Sequence, residues 1–600
     1  MPASELLHET PDQRLEAEVI EWTESVHSEA EYEQSQSAEM KLTGKLIDYI
    51  HGRQWSPQAR FGRARPVINR LFRQFIEMTG LLTDIEPDFK IKFYQGNSQE
   101  FVNLEKLLND MIVDWAIMSD FESELSQTIM YGILHTGYAK LQWNPKLRFG
   151  AGDNEFIPIS PLNLMLVGAS SKLQDAEAVI YRMPVTMAYL KRKYGSLANH
   201  VKPDSGLTGM PAEMMRPAKI PSAQWSKLNP TLRRMLGQRA DTPSTKYPMS
   251  MLKEFWVKDD SVWDGKESLQ IGPADSSWGY IVEPGMPIYP RGRVIVTAGR
   301  KVLEDGPNPY WHAMYPFAMY RPYRVPWQTD GLSALAPGAA IQNVLNRIYG
   351  GVMDTINAAI EPTLIAPKAA FSQQGWDTMD PGEPGGKIAY NNNTPKPPEF
   401  RKPPELANYI PATAASFEKE QDAMSGGAAI QQALNKKQVP GGDSLDMIMN
   451  SRSINIRLMG RELKSFLVPI GAMSCCNIMQ FSTAEHRAGV FGGAGLMDSD
   501  FTPDYGKMLP AGMEPEAFVR RCSFSIRKGS LLAIEKSEEV QIAFALRKNR
   551  DISRKRLLKK IGLPDVEIAE NEQELVAEGM QAAAGQALVS AASGKGHHGK

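Results

Sequence analysis

A stretch of thirty residues with almost no charge limits what this chain can fold into. Gly331–Ile360 carries only Arg347 and Asp354 as charged side chains. As one helix it would be about 45 Å long at 1.5 Å per residue. It has too few large hydrophobic residues to span a membrane and too few charges to stand free in water. Its small residues and side-chain amides therefore predict close packing against other copies of itself. The amides are those of Gln342, Asn343, Asn346 and Asn357.

Length, charge and cysteine content exclude several classes of protein. A chain of 600 residues is expected to form several domains or one elongated subunit. Its net charge of −2 argues against a protein that coats nucleic acid, but not against a duplex that passes through without being gripped. The adjacent Cys475 and Cys476 and the single Cys522 give neither a disulfide framework nor a metal-ligand spacing, which predicts a reducing compartment.

Two further observations predict a soluble protein with no membrane partner. The N-terminus lacks the basic-then-apolar pattern of a signal peptide. The longest apolar run, Phe466–Met479, is too short for a membrane span and contains Pro469.

Helical and strand-like segments occupy different parts of the chain, which predicts an α+β fold. Residues 101–137 have a helical pattern that we expect to break at Gly132 and Gly137. From Tyr138 to Leu303, short runs rich in β-branched and aromatic residues predict strands. Gly299-Arg300 predicts a tight hairpin turn with glycine at positive φ. Helical patterns return at 405–424 and 444–467, and Pro469 predicts an end or a kink of the second.

Two charged segments near the N-terminus each allow two interpretations. Residues 1–40 contain eleven acidic side chains and one basic side chain, and we favour a solvated helix over a specific docking arm. Five arginines follow, and they fit a nucleic-acid patch or ion pairs with carboxylates about equally well. These are Arg60, Arg63, Arg65, Arg70 and Arg73.

Between the last two helical patterns lies "SGGAAIQQALNKKQVPGGDS", residues 425–444. Two glycine pairs enclose a segment whose only charges are Lys436 and Lys437. Glycine gives the backbone conformations that other residues avoid. On these residues alone, an exposed linker with solvated lysines is the preferred interpretation. The glycines are Gly426, Gly427, Gly441 and Gly442.

Catalytic signatures are missing from the sequence. "GEPGGKI" at 382–388 differs from a phosphate-binding loop, because its first glycine is misplaced and Ile388 stands where Ser or Thr is required. The chain has no nucleophile elbow, zinc-protease motif or Cys/His set. We therefore expect no enzyme activity, no cofactor and no metal.

The order of these segments resembles the portal proteins of tailed bacteriophages. Similar features include "GRQWSPQARFGRARPVINRLFRQFIEMTG" (52–80), "YGILHTGYAKLQWNP" (131–145) and "FIPISPLNLMLVGASSKLQDAEAVIYRMPVTMAYLKRKYG" (156–195). "VIVTAGRKVLEDGPNPYWHAMYPFAMYR" (294–321) is the most similar to the family pattern. "DGLSALAPGAAIQNVLNRIYGGVMD" (330–354) and "DISRKRLLKKIGLPDVEIAENEQEL" (551–575) complete a resemblance that covers most of residues 41–575.

The resemblance implies an α+β portal fold assembled as a ring, usually of twelve subunits, at one capsid vertex. After an acidic N-terminal arm (1–40), it implies a wing (41–328), a first stem helix (329–360), a clip (361–404) and a second stem helix (405–425). A tunnel loop (426–443), a long spine helix (444–481), wing return strands (482–535) and a crown with a C-terminal tail (536–600) would follow.

In such a ring the tunnel loop would project into the central channel. Lys436 and Lys437 would face DNA phosphates, and the glycine pairs at 426–427 and 441–442 would let the loop move. Ammonium groups make point-charge contacts with phosphate that are non-specific and screened by salt, which suits a duplex that must slide.

The resemblance also implies partners and further site residues. The clip would dock the terminase large subunit and later the head-completion or tail adaptor protein. Its basic residues fit a docking role, the lining of the channel and ordinary surface charge equally well; they are Lys368, Lys387, Lys396, Arg401 and Lys402. Arg457, Arg461 and Lys464 share one face of the spine helix, and salt bridges between subunits are preferred there over DNA contact. Other partners would be double-stranded DNA and the major capsid and scaffold proteins, in a virion assembled in the host cytoplasm.

The leading function is therefore a non-enzymatic channel for DNA entry and exit. A nucleic-acid-processing enzyme with an unrecognised site, or another structural protein of the virion, remains the alternative.

Overall fold

The computed structural model describes most of the chain up to residue 482 and short parts beyond. The described residues are 13–55, 63–83, 89–93, 99–168, 171–204, 248–271, 280–326, 328–360, 364–367, 391, 399–400, 407, 409–425, 442–482, 522–526, 544, 547 and 557–558. Contacts divide the chain into a large unit (1–83 and 89–526) and a small one (84–88 and 527–600). In the small unit, Leu557 is buried and Phe544 is exposed. The paragraphs below concern the large unit.

Nine α-helices and sixteen strands are found among the described residues. The helices are α1 (Gln13–Gln36), α2 (Ala38–Ile50), α3 (Arg70–Thr83), α4 (Gln99–Met118), α5 (Phe121–Leu134), α6 (Met187–Tyr194), α7 (Ala336–Ile360), α8 (Tyr409–Ser425) and α9 (Gly442–Phe481). The strands are β1 (Phe89–Phe93), β2 (Gly137–Asn144), β3 (Asp153–Ile159), β4 (Leu164–Val167), β5 (Ala178–Thr186), β6 (Met249–Val257), β7 (Leu269–Ile271), β8 (Tyr280–Val282), β9 (Arg293–Ala298), β10 (Lys301–Pro307), β11 (Phe317–Tyr320), β12 (Tyr323–Arg324), β13 (Gly331–Leu332), β14 (Leu364–Ile365), β15 (Glu399–Phe400) and β16 (Cys522–Ile526). This mixture of helix and sheet agrees with the predicted α+β class.

Two antiparallel sheets form the main core. The larger sheet has the strand order β10-β9-β6-β5-β4, and the smaller has the order β11-β2-β3. Successive residues of a strand point to opposite faces, so that Val179 and Tyr181 face the smaller sheet while Ile180 faces away. Edge-to-face contacts of Phe317 with Tyr181 and Trp256 join the two sheets.

The hairpin predicted at Gly299-Arg300 is confirmed. β9 and β10 pair antiparallel, with Ala298 opposite Lys301. Gly299 has φ of 54° and Arg300 has φ of 62°. Positive φ at both central residues is the geometry of a two-residue turn whose twist matches that of the flanking strands.

The acidic helix α1 lies against the outer face of the larger sheet, so the prediction of a solvated helix is wrong. Its Val19 and Ala30 are buried against Ile180, Phe255 and Ile295. Three of its carboxylates pair with cations of the sheet and its hairpin. The pairs are Glu16–Lys301 (3.3 Å), Glu24–Lys253 (2.7 Å) and Glu31–Arg182 (3.1 Å). The sequence pattern did not reveal the docking because the cations are far away along the chain.

The long helix α9 continues through Pro469 instead of ending there. Phe466, Leu467, Ile470 and Met473 around the proline are almost fully buried. A proline inside a helix costs about 3 kcal/mol, whereas burying one large apolar side chain contributes about 1.5–3 kcal/mol. Tertiary packing therefore outweighs the local preference.

The strand expected to return to an earlier sheet is also present. β16 pairs antiparallel with β1, with Phe89 opposite Ile526. β1 also contacts α9, since the ring of Phe89 lies against Gly471.

Gly132 does not break its helix. The interruption of the helical region falls at Ser119–Asp120, where Asp120 has φ of 52°. α5 then runs through Gly132, where a Cβ atom would collide with the buried ring of Tyr320. This glycine serves close packing rather than a turn.

Candidate functional site

α7 and α8 form an antiparallel helical pair. Gln421 of α8 donates to the side-chain oxygen of Gln342 at 3.3 Å, and the Tyr349 hydroxyl donates to Glu418. Ala414 is buried in the pair. The two helices predicted at 331–360 and 405–424 are thus present and adjacent, with described bounds of Ala336–Ile360 and Tyr409–Ser425.

A buried network of side-chain amides fixes this pair to the N-terminal region. Gln342 Nε2 donates to the Ile68 carbonyl at 2.7 Å and to Asn346 Oδ1 at 3.1 Å. Asn346 Nδ2 donates to Gln54 Oε1 at 2.6 Å. Gln342 and Asn346 are 0% and 3% exposed. Amides buried at this depth need partners, and here the partners belong to the same chain. The prediction that Gln342 and Asn346 face another copy is therefore wrong.

Three of the five N-terminal arginines form ion pairs within the chain. Arg63 pairs with Asp354 of α7 (3.1 Å), Arg70 with Asp422 of α8 (2.7 Å) and Arg73 with Glu77 (2.7 Å). Arg65 also has an interaction partner, and Arg60 lies outside the described residues. Of the two interpretations of this segment, these contacts favour ion pairing.

Asp354 shows how the N-terminal segment holds α7. Its carboxylate accepts hydrogen bonds from the Ala64 backbone N–H (2.7 Å) and from the Arg63 guanidinium (3.1 Å). These two donors lower the pKa of Asp354. Gly350, one turn before it, leaves room for the Ala64 carbonyl, which would lie 3.2 Å from an added Cβ.

The rest of α7 presents a nearly uncharged surface. Arg347 is its only exposed charged residue. An exposed helix face normally carries charged and polar side chains, so this face has the character of a contact surface. We call it the α7 face; its large apolar member is Val344, on the side away from the buried Gln342 and Asn346. The exposed Met353, Ile356 and Ile360 lie on another side of the helix, beyond the buried amides.

A second row of exposed apolar residues runs along α3. Ile68, Phe72 and Ile76 are four residues apart and 45–47% exposed. The opposite side of α3 buries Leu71, Phe75 and Met78. A helix that is apolar on both sides is usually covered on both sides.

The side chains that anchor α9 were not identified from the sequence. Asn154 of β3 donates to Ser474 Oγ at 2.9 Å and accepts from Asn477 at 3.0 Å. Gln480 accepts from the Trp311 backbone N–H (2.9 Å) and donates to the Pro309 carbonyl (2.7 Å). The sequence feature that could have identified them is a polar residue at every third position, in the apolar run 466–479 and just after it. These residues are Ser474, Asn477 and Gln480.

Most of the predicted site residues lie outside the described part of the chain. These are Gly426, Gly427, Lys436, Lys437, Gly441, Lys368, Lys387, Lys396, Arg401 and Lys402. Gly442 is the first residue of α9. The roles assigned to all of these residues stay predictions.

The three basic residues predicted on one face of the long helix do belong to α9. Arg461 is exposed and Lys464 is half-buried, while the side chain of Arg457 is outside the described set. Neither Arg461 nor Lys464 pairs with a described carboxylate, whereas neighbouring Glu462 pairs with Arg324 at 3.0 Å. Contact with another subunit or with DNA remains a prediction for these residues.

The described residues also bear on other kinds of site. They contain no group of three or more His, Cys, Asp or Glu side chains that could hold a metal ion. Nor does any described helix have the length and apolar content needed to cross a membrane.

Comparison with known proteins identifies one family. The family described as phage SU10 portal protein matches residues 290–487. The matched region contains the β9–β10 hairpin, the α7–α8 pair and α9. No curated protein matches the chain. The family match confirms the resemblance predicted from the sequence and supports a phage portal role.

Proposed function

We propose that this chain is a phage portal protein that forms a ring at one vertex of the capsid. DNA enters through the ring during packaging and leaves through it during ejection. The single observation that carries the proposal is the portal family match over 290–487, which includes the α7–α8 pair and the long helix α9. The ring is a structural component of the virion, and a separate terminase hydrolyses ATP to drive the DNA.

The uncharged α7 face supports the ring. The amides of Gln342, Asn343 and Asn346 bond within the chain. Assembly therefore depends on the exposed apolar and small residues of the α7 face, of which Val344 and Gly351 are examples. Burying them against the same helix of a neighbour removes apolar area from water. A head-to-tail contact, in which the α7 face of one copy packs on a different side of α7 in the next, repeats around a closed ring of about twelve copies.

The channel is proposed to act through weak, exchangeable charge contacts. Twelve copies of Lys436 and Lys437 would give roughly two dozen cations around the duplex. Such contacts hold DNA without sequence preference and exchange as it slides. The near-neutral charge of the whole chain, −2, suits a channel that does not grip its cargo strongly.

Docking of the packaging and tail proteins is proposed for the clip, residues 361–404. Its basic residues Lys368, Lys387, Lys396, Arg401 and Lys402 are the candidates for contact with the terminase and then the tail adaptor. One surface that serves both partners in turn requires that they bind at different stages.

Imaging tests the proposal most directly. Negative-stain microscopy and mass photometry of the purified chain are expected to give closed rings of about twelve copies around an axial hole. Val344→Glu should prevent closure, because it places a charge on the α7 face. Val262→Glu is the matched control, since Val262 is an exposed valine (52%) on the connection between β6 and β9.

Two results would weigh against the proposal. If Val344→Glu formed rings as abundantly as the wild type, the α7 face would not be a contact between subunits. A monomer that cleaves DNA in a metal-dependent manner would overturn the portal function itself.

A further inference from the structure

A cavity of about 450 Å³ lies between the larger sheet and β2. Ligand pockets in proteins commonly measure about 300–1,000 Å³ and combine aromatic walls with a few polar groups. This cavity has that composition. Its aromatic and charged lining consists of Trp143, Trp256, Tyr310, Glu254, Glu304, Asp305, Lys140 and Lys193.

The cavity already holds one ammonium group of the chain itself. Lys140 Nζ lies 2.6 Å from Glu254 Oε2, and both residues are about 5% exposed or less. The same ammonium lies 5.8 Å from the centre of the Trp256 ring and 5.7 Å from that of Tyr181. Burial opposes ionisation of Glu254, but the Lys140 charge outweighs it and lowers the pKa of Glu254. Aromatic rings and a carboxylate thus stabilise a cation at the base of the cavity.

Among the described residues, one carboxylate of the lining has no ion-pair partner. Both oxygens of Asp305 accept from the Arg293 guanidinium, at 2.8 and 2.7 Å. Glu304 makes no hydrogen bond or ion pair with any described residue. Lys193 lies over the Tyr194 ring at 5.1 Å instead of pairing with Glu304. The exposed Glu304 therefore borders a cavity with aromatic walls, and none of the described cations forms an ion pair with it.

We propose that this cavity binds a small organic ammonium ion, held by the Glu304 carboxylate and the aromatic wall that includes Tyr310. The ligand repeats the arrangement that Lys140 makes with Glu254 and Trp256. An anion fits less well, because the faces of the lining aromatic rings are negative. The inference goes beyond the portal function and does not depend on ring assembly.

Saturation-transfer NMR and calorimetry of the full chain test the proposal, with butylammonium chloride as the probe and sodium chloride to fix the ionic strength. Butylammonium is expected to bind at least about tenfold more tightly than its neutral analogue 1-butanol, because only the ion gains charge-assisted contacts. Glu304→Gln should weaken binding of the ion about tenfold. Glu283→Gln is the control, since Glu283 is exposed and outside the cavity.

A variant that is expected to raise the affinity for butylammonium distinguishes a specific effect on the site from misfolding of the chain. Lys193→Met removes the ammonium that competes with the ligand, so butylammonium should bind more tightly than to the wild type. Equal affinity for butylammonium and butanol, unchanged binding in Glu304→Gln, or no binding by the wild type would each overturn the proposal. Mass photometry on the same samples reports ring formation separately, so failure here is distinguishable from failure of the portal function.

Discussion

The side-chain amide of Gln342 donates to the backbone carbonyl of Ile68 at 2.7 Å and joins α7 to the segment that leads into α3. These residues are 274 positions apart in the sequence. The contact makes the N-terminal region a support for α7, with Asn346 and Gln54 extending the network.

Removing one amide from this network should destabilise the chain. In Asn346→Leu the Gln54 oxygen loses its donor and the Gln342 amide nitrogen loses one of its two acceptors. We expect a loss of about 2–3 kcal/mol because unsatisfied buried polar groups cost about 1–3 kcal/mol each. Asn343→Ala is the control on the same helix, since Asn343 is exposed and, among the described residues, accepts a hydrogen bond from the Tyr49 hydroxyl alone. Denaturant unfolding measures both variants, and equal losses would contradict the importance of the network.

Gly132→Ala should destabilise the junction of α5 and β11. The new methyl group would collide with the ring of Tyr320, which is fully buried. Overpacking of this kind costs about 1–3 kcal/mol. Gly44→Ala in α2 has open space around the added carbon and should instead stabilise by up to about 1 kcal/mol. Thermal unfolding of the two variants should show shifts of opposite sign.

Stability should fall between pH 7.5 and 5 because of His312. Burial lowers its pKa from 6.5 to about 3, so the unfolded state binds more protons than the folded state in this range. The contribution of neutral His312 to the free energy of unfolding is present above pH 6.5 and is lost as the pH falls. At pH 5 the free energy of unfolding should be lower by about 2 kcal/mol. His312→Gln removes this titration, and its unfolding free energy should depend less on pH by that amount. A pH dependence equal to that of the wild type would contradict the assignment.

Arg182→Met should release α1 from the larger sheet. The guanidinium donates to the Leu162 carbonyl, Glu31 and Gln34, and it is 9% exposed. Chymotrypsin should cut faster at Trp22 and Tyr32 of α1 in this variant. Lys258→Met, which removes a cation outside the α1 contact, should leave the cleavage rate unchanged. Resistance equal to that of the wild type would show that Arg182 does not hold the helix.

Lys436→Ala combined with Lys437→Ala should change DNA handling without preventing assembly. The ring would lose roughly two dozen cations, so DNA retention after packaging should decrease and depend less on salt. Ring formation is measured on the same preparation, and packaging efficiency is compared with that of Lys419→Ala. Unchanged DNA retention and salt dependence would show that these lysines do not contact DNA.

Local sequence determined the elements whose geometry depends on neighbouring residues. The Gly299-Arg300 turn was predictable because positive φ at two adjacent positions restricts the residue types there. The strands around Val179 and Ile180 were predictable because the side-chain period is two. The helices α7 and α8 were predicted from the helical patterns at 331–360 and 405–424, but their packing against each other was not.

Only the tertiary structure decided which partners these elements take. Pro469 remains within α9 because the apolar residues around it are buried, and Gly132 remains within α5 because Tyr320 packs on it. The partners of Gln342, Arg70 and Glu24 lie tens to hundreds of residues away along the chain. Hydrogen bonds and ion pairs depend on distance in space, and spacing along one sequence does not report that distance.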